Sequence, residues 1–356
     1  MKIVQLVTQM EAGGAQRVAM LLNEALQNRG YDAEVWFLYL KRPTYVDFPG
    51  VKVLLEHPPS GLDYLQIIFK FQELLRSHKP DILITHTHYA NVIGQFIAKF
   101  CGVPGRLAVQ HNPVQTYPKA ARFVDRVLGT RAFYTANIAV SQVVVDSVVD
   151  YPLKYKKYVR KIYNGIPQLN PQNSAKEVLT RWNLPADIPL LVNVGRLALQ
   201  KNQTTLIEAL LYIPEAHLIL IGDGELRTTL QEKVSTLKLE ERVHFLGEMK
   251  SEDVLDLLCI SDVFVFPSLY EAMPMALVEA MGLGIPIVGG DIPAMREVLG
   301  DAGLIVPSDN AEKIAISVQE ILDSSELAEN LRQSSLKRAS LFSVETMVES
   351  YEKLFR

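Results

Sequence analysis

Residues 261–300 read S-D-V-F-V-F-P-S-L-Y-E-A-M-P-M-A-L-V-E-A-M-G-L-G-I-P-I-V-G-G-D-I-P-A-M-R-E-V-L-G. Val263, Phe264, Val265 and Phe266 make a continuous run of β-branched and aromatic residues, the composition of a strand buried on both faces of a parallel sheet. Pro267 ends the run. Ala276, Leu277, Ala280 and Met281 then recur at helical spacing, until Gly282 and Gly284 stop the helix and 285–288 begins another strand. Between strand end and helix start lie Ser268, Tyr270 and Glu271. In an open α/β sheet the carboxyl end of a strand, beside the N-terminus of the next helix, is where anionic ligands bind, so a carboxylate there stands out.

Glu271 and Glu279 lie eight residues apart in sequence. On one continuous helix they would differ by about 80° in azimuth and about 12 Å in height, too far to grip one atom but suited to opposite ends of an extended ligand. Spacing alone leaves a plainer reading open, with Glu271 a helix-capping acid and Glu279 a surface charge. Against it stands the setting L-V-E-A-M: an unpaired carboxylate inside an apolar helix is costly, so Glu279 needs a partner.

The arrangement E-x7-E followed by A-M-x-x-G-x-P-[IV], and preceded by D-V-F-V-x-P-S, resembles the signature of glycosyltransferase family 4, a group of retaining enzymes with the GT-B fold. The resemblance implies an α/β chain of two Rossmann-like domains with parallel sheets facing a central cleft. In that family the first Glu contacts the donor sugar and the second the ribose of the nucleotide, which carries over to Glu271 and Glu279. Where the family usually has Gly-Phe-Gly or Gly-Leu-Pro, this chain has Ala272, Met273 and Pro274. With Met275 these are expected on the donor side, and the missing glycine bears on how closely the backbone approaches the sugar.

A length of 356 residues with 48% hydrophobic and 21% charged residues fits a soluble globular protein of two domains. Cys101 and Cys259, far apart and without metal-ligand spacing, read as reduced core residues of a cytosolic protein. No stretch offers eighteen uncharged apolar residues, and 1–10 is too short and polar for a signal peptide. The expected location is therefore cytoplasmic. Residues 1–167 carry 20 Lys and Arg against 12 Asp and Glu, whereas 168–356 carry 16 against 28. A basic half beside an acidic half predicts that one domain faces something anionic. No nucleic-acid motif or aromatic-basic interleaving accompanies it, so nucleic acid is not the expected partner.

In the first half, a strand over 2–8 runs into a turn with Gly13 and Gly14 and a helix over 16–28, a unit whose backbone amides are free to meet an anion or a sugar hydroxyl. It is not a dinucleotide fingerprint: G-x-G-x-x-G is absent and no acid ends the second strand, 34–40. A turn with glycines for packing remains the alternative. The resemblance implies that this turn lines the cleft, Gly14 towards the donor, Gly13 and Gln16 towards the acceptor. A strand over 81–85 leads to His86, Thr87 and His88, a helix covers 91–100, and a strand over 106–110 delivers His111 and Asn112. H-x-H plus one distant His without a carboxylate is a weak metal signal, and no metal is expected. The resemblance implies that His111 faces the donor sugar or its diphosphate and that His88 lies on the acceptor side. A merely supporting histidine stays open.

Residues 119–137 set Lys119, Arg122, Arg126 and Arg131 among Phe123, Val124, Val127, Leu128 and Phe133, the pattern of a basic amphipathic helix, followed by a strand over 139–141. Lys154, Lys156, Lys157, Arg160 and Lys161 add a second basic run. With the charge split they predict docking on an anionic membrane surface, peripheral to the inner face of the cell membrane. A solvated positive face with its apolar stripe in the core is the alternative. Residues 162–166 match the family's hinge strand, often Y-N-G-I-D, with Pro167 in place of the Asp.

Residues 167–185, rich in Pro, Asn and Gln, read as a linker. A strand over 190–194 then leads into Gly195 and Arg196, with Lys201 five residues further. A fixed fork of donors and a mobile ammonium at a strand-to-helix connection suit a diphosphate; a solvated surface pair is the alternative. In the family these are the leaving-group ligands. By the same resemblance Gly222 and Gly224 form a wall of the nucleotide pocket, and 247–249, ending at Met249, meets the nucleobase through backbone groups. A final helix over 345–355 crosses back, giving domains 1–167 for the acceptor, 168–341 for the nucleotide sugar, and 342–356.

The function expected is a retaining glycosyltransferase of the hexosyltransferase type. It would move a sugar from a nucleotide-diphosphate donor, a UDP-sugar, to a glycan or lipid-linked acceptor in envelope polysaccharide or glycolipid synthesis. No cofactor or metal is expected, because Arg196, Lys201 and helix N-terminal amides supply the positive charge that a departing diphosphate needs. A nucleotide-sugar epimerase and a catalytically silent sugar-nucleotide-binding subunit share the architecture. The presence of Glu271, Arg196 and Lys201 together argues against silence.

Overall fold

The computed structural model describes residues 1–355, which form two compact units: residues 1–167 together with the segment from Ser343 onward, and Gln168–Phe342. In the first unit the chain runs β1 (Lys2–Met10), α1 (Gly14–Asn28), β2 (Asp32–Leu40), β3 (Val51–Val53), α2 (Asp63–His78), β4 (Ile82–His86), α3 (His88–Phe100), β5 (Gly105–Gln110), α4 (Lys119–Thr130), β6 (Ala136–Ala139), α5 (Gln142–Asp146), α6 (Leu153–Lys156) and β7 (Val159–Lys161). The strands are parallel and ordered β3-β2-β1-β4-β5-β6-β7. Burial on both faces explains why they read as nearly unbroken apolar runs. On one face Leu6, Trp36 and Leu83 pack against Ile67 and Phe71 of α2 and Ile97 of α3; on the other Val7, Val35 and Phe37 meet Ala19 of α1. Each such side chain contributes about 1.5–3 kcal/mol when fully buried.

The second unit runs α7 (Ala175–Arg181), β8 (Leu190–Val194), α8 (Gln203–Ala209), β9 (His217–Ile221), α9 (Arg227–Thr236), β10 (Val243–Gly247), α10 (Ser251–Cys259), β11 (Val263–Phe266), α11 (Met275–Gly282), β12 (Ile287–Gly290), α12 (Pro293–Leu299), β13 (Leu304–Val306), α13 (Ala311–Asp323) and α14 (Ser325–Ala339). Its parallel strands are ordered β10-β9-β8-β11-β12-β13. Both sheets are therefore doubly wound. The strand order reverses between β1 and β4 in the first and between β8 and β11 in the second, and a crevice opens outside the carboxyl ends of each such pair.

The last helix, α15 (Val344–Glu352), belongs to the first unit. It buries Met347, Val348 and Tyr351, and Arg29, which caps α1, donates to Glu352 at 2.5 Å. Ile166 bridges Ser343, and a Cβ on Gly165 would stand 2.6 Å from the Cα of Val344. Only glycine lets the returning backbone lie so close, which explains the G in Y-N-G-I. Tyr163 and Asn164 lie beyond β7, which ends at Lys161.

Several elements differ from expectation. The basic segment is not helical through residue 137: α4 stops at Thr130, Ala132 takes a left-handed φ of 57°, and β6 already begins at Ala136. The strand placed at 139–141 is thus shifted, because Ser141 caps α5. Helix α3 begins at His88, three residues early. Cys259 is exposed at the end of α10 and is not a core residue, because α10 turns Asp256, Leu257 and Leu258 inward instead; Cys101 is half-buried and packs against the core.

Helix α4 buries Leu128 as its pattern predicts but departs from it at Asp125 and Phe123. Asp125 is 2% exposed, whereas Phe123 is 68% exposed. The Asp125 carboxylate accepts from Tyr155 at 2.7 Å, Tyr134 at 2.8 Å and Gln110 at 3.1 Å. Burial raises its pKa, partly opposed by those hydrogen bonds. Among the described residues no helix is long and apolar enough to cross a membrane.

Candidate active site

In the second unit the crevice between β8 and β11 is built from two loops laced together. After β8, Gly195 and Arg196 lead to a single 3-10 turn, Leu199–Lys201; after β11, Ser268 to Glu271 approach it. Leu269 donates its amide to Gln200 O at 2.8 Å, and the Gln200 side chain returns a bond to Tyr270 O at 2.8 Å. The result is an ion pair: Lys201 Nζ stands 2.5 Å from Glu271 Oε1 and 4.7 Å from the centroid of the Phe266 ring. Lys201 is 17% and Glu271 8% exposed at the side chain, so both charges are largely withdrawn from water and hold each other. Gly195 makes room for this, since a Cβ there would press on the Lys201 stem at 3.2 Å.

Glu271 lies in irregular chain before α11 and does not cap it. The N-cap is Pro274, in extended conformation, and the helix starts only at Met275. Glu271 and Glu279 therefore do not share one helix: proline biases the residue before it away from helix, which leaves Glu271 to Met273 as a loop folded onto Lys201. Glu279 is buried on α11 among Leu277, Val278, Ala280 and Met281. Ala272 and Met273 are buried, and Met249 follows β10 half-buried.

Gly222 and Gly224 serve backbone packing. A Cβ on Gly222 would meet Gly195 O at 2.2 Å, and one on Gly224 would meet Leu197 O at 2.4 Å. Leu197 donates to Asp223 O, and Leu226 to Leu197 O, so the turn after β9 rests on the turn after β8. Arg196 is apart from the ion pair. Its side chain is 66% exposed, with Glu225 at 4.0 Å.

In the first unit the crevice between β1 and β4 gathers the other candidates. Gly13 is the extended N-cap of α1 and Gly14 its first residue. Gln16 is buried beneath the turn: its amide donates to Gln9 O at 3.2 Å, and its Oε1 lies where a Gly13 Cβ would go. Thr87, between His86 and His88, adopts φ 73° and ψ 155°, a region that β-branched residues rarely enter. Its hydroxyl is paired with Thr8 Oγ1 at 2.5 Å, and Thr8 accepts from the amide of Ala90, which pins the turn. His88 stacks on Tyr117, ring centroids 5.0 Å apart. His111 stacks on His86 at 5.2 Å, its Nε2 3.0 Å from His86 Nδ1. Burial lowers the His111 pKa to about 4.

Comparison with known proteins gives two matches along the chain. A family model described as Glycosyltransferase Family 4 covers residues 12–168, and one described as Glycosyl transferases group 1 covers 176–338. The chain is a family 4 glycosyltransferase. An uncharacterised glycosyltransferase of Methanocaldococcus jannaschii is 30% identical over 252 residues, 66% of this chain and 62% of its own length, so the match spans less than two thirds of that relative. The UDP-Gal:alpha-D-GlcNAc-diphosphoundecaprenol alpha-1,3-galactosyltransferase of Escherichia coli is 28% identical over 311 residues, 78% of this chain and 76% of its own. Among solved structures, Anabaena HepE in complex with UDP superposes with a TM-score of 0.86 at 21% identity, covering 99% of each chain. The fold of this family 4 glycosyltransferase is accordingly GT-B.

Several residues of the glycosyltransferase crevices escaped the sequence reading. Asn202, at a left-handed φ of 54°, donates to Ser308 O at 2.6 Å; Ser308 Oγ donates to Ser268 O at 3.0 Å. Asn193 ties β8 to Val265 O of β11 at 2.8 Å. Thr8 and Gln5 do comparable work in the first unit, joined by His86, which the sequence reading weighed only as a metal ligand. The available signal was a polar residue inside an otherwise apolar strand, as at Gln5 in I-V-Q-L-V and Asn193 in L-L-V-N-V.

Proposed function

We propose that the protein is a retaining, metal-independent hexosyltransferase. It would move a sugar from a UDP-sugar to a glycan or lipid-linked acceptor in envelope polysaccharide or glycolipid synthesis. The observation that carries the reading is the buried Lys201–Glu271 pair, set at a strand-order reversal beside the glycine turns, with an exposed Arg196 on the same loop. Lys201 and Arg196 take the diphosphate; Glu271 holds Lys201 and takes a sugar hydroxyl. Glu279 is assigned to the ribose, the backbone at Met249 to the base, and His111 to the sugar. The bond from the anomeric carbon to the diphosphate breaks while the acceptor oxygen bonds to that carbon on the same face. The acceptor's proton passes to the departing phosphate oxygen. Charge accumulates on the diphosphate, where two cations meet it without a cofactor. The Escherichia coli relative, named for a UDP-Gal donor and a diphosphoundecaprenol acceptor, and the HepE complexes with UDP and UDP-glucose support this choice of donor.

Purified protein is to be incubated with UDP-glucose, UDP-galactose and UDP-N-acetylglucosamine, with and without a diphosphoundecaprenol-linked sugar and EDTA. Acceptor-dependent release of UDP that survives EDTA is expected, with a product whose anomeric proton coupling matches the donor's. An inverted product, or interconversion of donors without an acceptor, overturns the reading in favour of an inverting transferase or an epimerase.

Membrane docking is part of the same proposal. Phe123, with Phe69 of α2 and Phe96 and Phe100 of α3, is exposed around an apolar groove of about 210 Å³ lined by Ile68, Ile93, Val124 and Leu128. Phe123 and Val124 of the α4 stripe are thus exposed while Leu128 is buried in the core, and Lys119, Arg122 and Arg126 accompany the exposed part. Each cation near an anionic leaflet contributes about 1 kcal/mol. Co-sedimentation with anionic liposomes is expected, weakening with salt and lost when Lys119, Arg122 and Arg126 become Ser. Equal recovery in the supernatant with neutral and anionic vesicles at low salt removes docking from the proposal.

A further inference from the structure

We infer that Gln5 and His86 are positioning residues that fix the tautomer of His111, so that His111 presents a bare Nδ1 as a hydrogen-bond acceptor for a hydroxyl of the bound sugar. The assignment of a sugar to His111 rests on the function proposed above; the tautomer does not.

The chain of reasoning starts at a group whose role cannot change. The backbone carbonyl of Ala19 in α1 can only accept, and Gln5 Nε2 donates to it at 2.9 Å. Asn23 Oδ1, at 3.5 Å, lies on the same side of the amide. The Gln5 amide is therefore not free to flip, and its Oε1 must face His86. His86 Nε2 lies 2.9 Å from that oxygen, so Nε2 carries the proton. His86 is fully buried on β4, and burial with His111 beside it holds its pKa well below the ordinary value. With one proton, already on Nε2, His86 leaves Nδ1 as a lone pair. His111 Nε2, 3.0 Å away, must then donate to it. A neutral His111 with its proton on Nε2 has none on Nδ1, and Nδ1 has no hydrogen-bond partner among the described residues. The three side chains come from β1, the end of β4 and the residue following β5, adjacent across the strand-order reversal.

The recognition consequence concerns the substrate class. An acceptor nitrogen suits a sugar bearing a hydroxyl there, and it repels the carboxylate of a uronic acid, which has no proton to give. At the sugar carbon that meets Nδ1 the fitting substituent is therefore a hydroxyl rather than a carboxylate.

Two-dimensional ¹⁵N–¹H NMR of the imidazole rings reads the tautomer of the free protein, with no substrate present. In the wild type His111 is expected as the Nε2–H tautomer. In Gln5→Leu and in His86→Leu, which remove the relay at different points, a mixture of tautomers should appear. In His86→Asn, whose amide oxygen keeps an acceptor for His111, the Nε2–H form should persist. Turnover of UDP-glucose should fall about tenfold in His86→Leu, the scale of one hydrogen bond, and recover in His86→Asn. An Nδ1–H tautomer in the wild type overturns the relay, as does an unchanged tautomer in a folded Gln5→Leu protein. If the tautomers behave as expected while His86→Leu turns over UDP-glucose as fast as the wild type, the relay stands and the placement of a sugar hydroxyl at His111 falls.

Discussion

Replacing Lys201 with alanine is expected to lower turnover about 100-fold or more, the scale of losing one charge contact to the developing diphosphate. The variant will also lose stability, which the G-R-x-x-x-x-K spacing by itself gave no reason to expect. Removing the ammonium strands Glu271, 8% exposed, without the cation 2.5 Å away, and breaking a buried pair from one side costs about 3–5 kcal/mol. Kinetics must therefore be read beside thermal melts, at a temperature where the variant is folded. The double variant Lys201→Met with Glu271→Gln should recover much of the stability and none of the activity. Near-normal turnover in folded Lys201→Ala would remove this lysine from the site.

Glu271→Gln is expected to abolish most turnover while leaving nucleotide diphosphate bound as tightly as before or more so. The amide keeps the shape and an oxygen for Lys201 but gives up the negative charge, so a diphosphate arriving at Lys201 competes with a weaker partner. Calorimetric titration with UDP beside a transfer assay separates the effects. A variant that transfers sugar normally yet binds UDP poorly would place Glu271 on the nucleotide instead.

The frame of this site was legible because its strands are buried on both faces. V-F-V-F and L-L-V-N-V announce parallel strands, and Glu271 and Arg196 stand out by their position after them, their roles coming from the family resemblance. What was not legible depends on contacts remote in sequence. The separation of 70 residues between Lys201 and Glu271 hid the ion pair, and nothing in the spacing of the loop before Pro274 told that Glu271 folds back onto Lys201. β3 is a three-residue edge strand, too short for any period to show. α14 buries only Leu331, Ser335 and Ala339, so its sequence carries little amphipathic pattern. α4 misled for the opposite reason. Its pattern is strong, but Asp125 faces inward because Tyr134, Tyr155 and Gln110 await it there.

The return of the chain at Ser343 bears on how the molecule is made. The second unit is one unbroken stretch of sequence, whereas the first is interrupted by it and closed only by α15, synthesised after the whole of the second unit. A ribosome therefore releases a first unit whose α1 lacks the cover of α15 until the whole second unit has been translated. The inserted unit, emerging whole, can complete its fold beforehand. A nascent chain stalled before Ser343 would expose apolar surface on α1 to chaperones, and a nonsense codon late in the message would damage the unit encoded first.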